Sequence, residues 1–189
     1  MIYEGPLPAN GTPGDKQAIR RVLHPQLAEL WNQPPLLRFV HNGQLLANSV
    51  MQPSLLVERC GFGFVPVVTT RLHLIAHLDV LFLRPGIPGA LIGRGGDIDN
   101  RLKTLFDALQ IPDANQIMAA PLDAAHATNT ATPFFCVLED DALITRVNVE
   151  TDRLLKPDVY GVGDSRVLLV INVTLRVVQL AHFNMELAS

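Results

Sequence analysis

The chain reads as an α+β protein, a mixed or antiparallel sheet packed by two main helices. Three patterns carry that reading. A long run around residues 71–82 alternates apolar and polar side chains with period two. A capped helical pattern opens at Thr12, and a second one, with separate apolar and polar stripes, opens near Asp99. The 189 residues are 48% hydrophobic with a mean hydropathy of +0.23, enough for one folded domain over 1–189.

Taken in order, Met1–Glu4 has the make-up of a short strand and Gly5–Pro13 is turn-rich. Thr12-Pro13-Gly14-Asp15 combines an N-cap threonine, a proline at the first helical position and an acid three residues after the cap. Ile19, Val22, Leu23, Leu27, Leu30 and Trp31 continue with helical spacing. Pro25 is expected to kink or split that helix, and Gln33-Pro34-Pro35 to end it. Asn42-Gly43 suits a hairpin turn. In the alternating run, Leu72, Leu74, Ala76, Leu78, Val80 and Phe82 form one face, and Arg71, His73, Ile75, His77, Asp79 and Leu81 the other. Arg84-Pro85-Gly86 breaks the strand, and a glycine-rich loop, Pro85–Gly96, follows.

The helix after Asp99 sets Leu102, Leu105, Phe106 and Leu109 on an apolar stripe and Asn100, Lys103, Thr104 and Asp107 on a polar one. Residues 110–133 are weakly patterned and read as an insertion or mobile loop. Strands are expected near Phe134–Leu138, Leu143–Glu150 and Val167–Leu180.

Net charge is −3, a poor footprint for a nucleic-acid binder. Between Arg84 and Thr104, however, Arg84, Arg94, Arg101 and Lys103 outnumber Asp97 and Asp99, leaving the segment positive by two. No apolar run free of charge reaches membrane-span length, since Arg71 and Asp79 interrupt Val65–Leu83. The N-terminus carries no basic leader or apolar stretch of the secretory kind. Cys60 and Cys136 form no CxxC pair and read as buried free thiols, which fits a cytoplasmic protein.

The chemistry concentrates in Gly96-Asp97-Ile98-Asp99-Asn100-Arg101-Leu102-Lys103. In extended backbone, residues two apart point the same way, so Asp97 and Asp99 can face one hard cation. Lys103 lies one turn beyond Asp99 and can meet a phosphate or the charge developing in its transition state. Magnesium needs more negative charge than two carboxylates supply, and Glu139-Asp140-Asp141 is the obvious further source.

The block Asp97-Ile98-Asp99-Asn100-x-x-Lys103-x-x-x-Asp107-Ala108-Leu109, followed by Asp140-Asp141-Ala142-Leu143-Ile144, resembles the RusA family of Holliday junction resolvases. The resemblance covers about residues 65–155 in order. It implies a RusA-like fold and a magnesium-dependent homodimeric endonuclease, with manganese as a substitute metal, that resolves four-way or other branched DNA by paired nicks. It makes Asp97, Asp99 and Asp141 the catalytic metal carboxylates and Lys103 the catalytic lysine. This chain departs from the family pattern by filling 110–139 before the Asp-Asp pair and by placing Gly-Ala-Leu-Ile-Gly-Arg94-Gly-Gly where arginines are common.

Asp97 and Asp99 have a second reading as caps of a helix and its dipole. Asn100, Asp107 and Asp140 read as supporting residues, and Lys103–Asp107 has the spacing of a surface ion pair. Glu139 reads as part of a solvated turn. Arg20, Arg21, Arg94 and Arg101 are the candidate DNA contacts; Arg20 and Arg21 equally suit a solvated helix face. His73 and His77, four strand residues apart, are too distant to share a metal. Two alternatives to the nuclease stay open: a non-catalytic DNA-binding relative of the same fold, and a structural or interaction protein with a solvated acidic cluster.

Overall fold

A computed structural model describes residues 1–41, 44–45, 53–85, 98–127, 132–155 and 165–188. The elements in chain order are β1 (Ile2–Pro6), α1 (Pro13–Trp31), β2 (Val40–His41), β3 (Gln44–Leu45), β4 (Val57–Arg59), β5 (Phe62–Val68), β6 (Leu74–Arg84), α2 (Ile98–Leu109), α3 (Ala114–Ala119), β7 (Phe134–Leu138), β8 (Ile144–Arg153) and β9 (Arg166–Val177). A four-stranded mixed sheet runs β1-β9-β6-β8, with β6 and β8 parallel and the other neighbours antiparallel. A second mixed sheet runs β4-β5-β7, with β5 and β7 parallel. The α+β reading with two main helices holds.

α1 starts where its capping box predicts. Thr12 Oγ1 accepts from the Asp15 N–H, and Asp15 Oδ2 accepts from the Thr12 N–H at 2.8 Å. Ile19, Leu23, Leu27 and Trp31, four residues apart, form its buried stripe. Removing one of these side chains, as in Leu23→Ala, should cost about 3 kcal/mol. Pro25 does not split the helix. It lies exposed, opposite that stripe, where solvent can satisfy the carbonyl that the missing N–H abandons.

The stripe shares one core with the inner face of the large sheet, built from Leu74, Ala76, Leu78, Val80 and Phe82 of β6 and Val167, Leu169 and Ile171 of β9, and α1 itself lies against β7 and β1. Val65 and Val67 of β5 and Leu105, Ala108 and Leu109 of α2 complete this core. The alternating strand is shorter than expected. Thr70–Leu72 forms a 3₁₀ turn and His73 is left-handed (φ 55°), so the ladder begins at Leu74. The Thr69 hydroxyl accepts from the Arg71 N–H, and the Glu139 carboxylate accepts from Thr69 Oγ1 at 2.5 Å and from the Thr70 N–H at 3.1 Å. Local polar bonds thus override the alternation. Glu139, expected in a solvated turn, anchors the β5–β6 connection.

Val40 and His41 pair with Leu45 and Gln44 as a hairpin requires; the Asn42-Gly43 turn itself lies outside the described residues, as does the loop 86–96. A second hairpin, β4–β5, turns through Cys60 and Gly61 with φ of 50° and 79°. Two positive φ values in a two-residue loop are those of a type I′ turn. Cys60 is accordingly exposed, against expectation, while Cys136 is buried. Burial pushes the Cys136 thiol up to about 12, so it stays protonated at neutral pH.

Residues 111–122 form an ordered cap on the small sheet. α3 is capped by Asp113, and Ile111, Ile117 and Leu122 bury themselves against Phe64, Phe134 and Cys136. The cap continues to His126, whose ring meets His24 of α1 edge-on at 4.8 Å. His24 stacks on Phe134 at 4.4 Å, and its Nδ1 accepts from the Phe135 N–H at 3.0 Å.

That geometry makes a pH prediction. Burial first, then the neighbouring His126, push the pKa of His24 down from the usual 6.5. The unfolded chain therefore takes up the proton first as pH falls. The stability contributed by neutral His24 is complete above pH 6.5 and is lost progressively below it. The melting temperature should drop on acidification through that range. In His24→Gln the protein should melt lower at pH 7.5 but show a shallower loss between about pH 6.5 and 5, measured by thermal unfolding across pH.

Candidate functional site

α2 carries the motif, and its polar side chains divide into two rows. Thr104 and Asp107 point inward to α1. Thr104 Oγ1 accepts from the Gly11 N–H at 2.9 Å, and a Cβ on Gly11 would meet Thr104 Cγ2 at 2.4 Å, so only glycine allows this approach. Asp107 Oδ2 binds Lys16 Nζ at 2.6 Å, with both side chains mostly buried. Asp107 is thus an interhelical strut and is not paired with Lys103, contrary to the expected i, i+4 pair.

Arg20, a candidate DNA contact, is only 3% exposed and is withdrawn from that role. Its Nε donates to the Gln110 carbonyl at 3.2 Å, and its Nη2 donates to the Asp107 carbonyl and to Gln116 Oε1. It satisfies carbonyls that the end of α2 leaves open. Desolvation pushes its pKa down, with Asp107 and Asp113 opposing that shift. Arg21 is exposed, 3.8 Å from Asp123 and within a long hydrogen bond of the Pro121 carbonyl, so it holds the cap loosely.

The other row faces outward. At about 100° per residue, Asp99, Lys103 and Gln110 fall within about 40° of one another around the axis. Asp99 and Lys103 are exposed. Asp99 Oδ1 accepts from the Asn100 N–H at 2.7 Å. Lys103 pairs with no described carboxylate. Asn100, half-buried, lends its carbonyl to the Thr104 hydroxyl at 3.2 Å and so belongs to the support of the helix.

Gln110 joins this row to the acidic run. Its side-chain oxygen accepts from the Asp141 N–H at 3.0 Å, and the Asp141–Leu143 turn lies against α2 and β6. Next to it, the Ile111 N–H donates to the Leu138 carbonyl at 3.0 Å, extending a parallel bridge between Gln110 and Leu138. Within Glu139-Asp140-Asp141 the roles separate. Glu139 binds Thr69 and Thr70, and Asp140 Oδ1 caps the turn through the Ala142 N–H at 2.9 Å. The Asp141 carboxylate is exposed and bonded to no described residue, which favours it over Asp140 as an available ligand. Asp99 and Gln110 are about 16 Å apart along the helix axis, so Asp141 approaches this row from its far end.

Among the described residues, no three His, Cys, Asp or Glu side chains stand close enough to share a metal ion. Asp97 and Arg94 lie outside the described residues. Asp99 and Asp141 are hard oxygen donors with free coordination positions, a donor type that suits magnesium or manganese. On β6, Asp79 receives Arg146 Nη2 at 3.2 Å and is thereby paired across to β8.

Cations gather where α2 begins. Arg84 closes β6 opposite Arg153 of β8, and Arg101, in the first turn of α2, donates to the Ser165 carbonyl at 3.3 Å. Burial and then the nearby Arg84 push the Arg101 pKa down. Arg84 was counted among the cations before the motif, but Arg153 did not stand out in the sequence because it lies 69 positions further on and becomes a neighbour only through the pairing of β6 and β8. Gln110 was missed because an amide just past a helix carries no motif; its spacing of seven residues from Lys103 was the available signal.

Gln110→Ala should free the Asp141 N–H. The expected outcome is faster amide hydrogen exchange at Asp141 with a stability loss of about 1 kcal/mol. Unchanged exchange at that amide would show that the turn does not depend on this bond.

Comparisons with family models, with curated proteins and with solved structures find no match for this chain.

Proposed function

We propose that this protein is a magnesium-dependent endodeoxyribonuclease acting on Holliday junctions or other branched DNA. The observation that supports the reading most is the outward row of α2, where Asp99 and Lys103 share a face with the Asp141 turn held by Gln110. Asp97, next to the start of that helix, joins the proposal from the motif alone.

Asp97 and Asp99, at the start of α2, would hold the cation; Asp141, which the Gln110 bond places toward the other end of the row, stays in the proposed ligand set from the motif alone. A hard divalent ion bound there supplies an activated water and neutralises phosphate charge. Lys103, unpaired with any described carboxylate, brings an ammonium group to the transition-state oxygens. Arg101 and Arg94 are the proposed contacts to the DNA backbone. Two copies of the chain would supply the two nicks that a four-way junction needs.

A second reading is DNA binding without cleavage. The crowding of Arg84 and Arg101 favours it, since two guanidiniums held together attract phosphate regardless of any reaction.

Nicking of a synthetic four-way junction with magnesium tests both. The expected result is cleavage that falls by about a hundredfold or more in Asp97→Asn, Asp99→Asn, Asp141→Asn and Lys103→Ala. Junction retention in a gel shift should change much less. Arg101→Ala should weaken retention and lower the salt slope by about one. Retention without cleavage under any divalent metal would select the binding reading, and the absence of both would leave an interaction protein with a solvated acidic cluster.

A further inference from the structure

β1 covers only the first part of one side of β9. It pairs with residues 166–170, and the ladder closes at Ile171. There the Met1 nitrogen donates to the Ile171 carbonyl and the Ile171 N–H donates to the Met1 carbonyl, both at 2.8 Å. β9 runs on to Val177. The covered part of this edge is guarded on its outer side. Gln26 of α1 closes the backbone of β1: its Oε1 accepts from the Ile2 N–H at 2.9 Å and its Nε2 donates to the Ile2 carbonyl at 2.7 Å. Pro6 ends the same strand without an N–H.

The backbone groups left open beyond Ile171 follow from the two ladders of β9. In an antiparallel ladder a residue turns its N–H and C=O to the same side, and neighbours alternate. Val178 donates its N–H to the His73 carbonyl at 2.9 Å, so even-numbered residues serve β6. Odd-numbered residues up to Ile171 serve β1. Val173 and Leu175 therefore turn their N–H and C=O to the side that β1 no longer covers, where no described residue bonds them.

That stretch lies beside a cavity of about 440 Å³. Leu27 and Leu30 of α1, Leu36, Val67 of β5 and Val137 of β7 line it, together with Val173 and Leu175. Among the described residues no charged side chain does so. Leu30 is 41% exposed, so the cavity opens to solvent. On the other face of β9, Asn172, Thr174 and Arg176 are exposed. Two features thus select one kind of occupant. The cavity favours apolar side chains, and the open N–H and C=O groups favour an extended backbone. A small apolar molecule would leave those backbone groups unanswered, whereas a strand answers both.

We propose that β9 takes an extended peptide of another protein as an added strand, antiparallel to β9 and in line with β1. Residues opposed in an antiparallel pair share a face. The peptide residues facing Val173 and Leu175 are therefore apolar, enter the cavity and exchange hydrogen bonds with β9. Those facing Asn172 and Thr174 are polar, and the one facing Arg176 is an acid. From its N-terminus the peptide reads acid, apolar, polar, apolar, polar. The inference rests on β9 and its cavity alone, and does not depend on the reaction proposed above.

The probe is acetyl-Glu-Ile-Thr-Ile-Ser-amide, titrated into the full chain and followed by amide hydrogen exchange. In the free protein the Val173 and Leu175 amides should exchange about tenfold or more faster than those of Asn172 and Thr174, which β6 protects. Saturating peptide should slow Val173 and Leu175 by about tenfold or more and leave Asn172 and Thr174 unchanged. N-methylation of the two isoleucine amides, which face β9, should raise the dissociation constant by about tenfold or more. N-methylation of the threonine amide, which faces away, should change it far less. Leu30→Glu should weaken binding by about tenfold or more by placing a charge in the cavity wall. Arg176→Glu should reverse the preference for glutamate over lysine at the first peptide position. Absence of saturable binding overturns the proposal. So does binding that ignores isoleucine N-methylation, which would make the cavity a site for apolar groups alone. Val173 and Leu175 amides already protected in a free monomer would show that the chain closes its own edge. Self-association that the peptide reverses would give the edge to a second copy. Either result also overturns the proposal.

Discussion

The buried guanidinium of Arg20 is the contact on which the rest of the arrangement depends. A helix that ends inside a protein leaves its last carbonyls without partners, and burying them unpaired is costly. Here one cation from α1 meets the carbonyls of Asp107 and Gln110 at the end of α2 and the side chain of Gln116 on α3. A charge so deeply buried carries its own desolvation penalty, and the three oxygens offset it. The Lys16–Asp107 pair, one turn earlier on α1, adds a second polar tie between the same two helices. Orientation of α2 about its axis is therefore set from α1, before any contact with the acidic turn.

That orientation divides the work on α2. Once Thr104 and Asp107 are turned to Gly11 and Lys16, Asp99 and Lys103 have to face away, because helical rotation separates the centres of the two rows by about 90°. Two polar rows of similar composition thus acquire different uses. The inner row is satisfied by the protein and the outer row is left to solvent. Exposed lysine and aspartate side chains tolerate that position without cost, which is also what a binding surface requires of them.

Legibility in the sequence followed the range of the interactions. The capping box at Thr12, the buried stripe of α1, the alternation in β6 and the face of β9 were readable because neighbours in sequence settle them. The 111–122 cap was not, since Ile111, Ile117 and Leu122 follow no period and owe their burial to Phe64, Phe134 and Cys136 far away in the chain. Arg20 was misread for a related reason: its charge suggested phosphate, and nothing local shows that its partners are carbonyls some ninety residues on. His73 failed the strand pattern because Thr69 and Glu139 bend the backbone just before it. In the candidate site, the local half on α2 was legible and the link through Gln110 was not.

The acidic run shows how a scaffold of this kind leaves one carboxylate of three uncommitted. Glu139 is fixed by two threonines and Asp140 by the turn it caps, so their carboxylates have defined partners within the protein. Asp141 is held instead by its backbone, through Gln110, which leaves the carboxylate itself uncommitted. A ligand pinned by its side chain has to break that bond before it can coordinate anything. One pinned by its main chain loses little rotamer freedom to reach a fixed place and still offers both oxygens. By that reasoning the three adjacent acids are not interchangeable: exchanging Glu139 or Asp140 perturbs the turn, whereas exchanging Asp141 removes only what the turn presents.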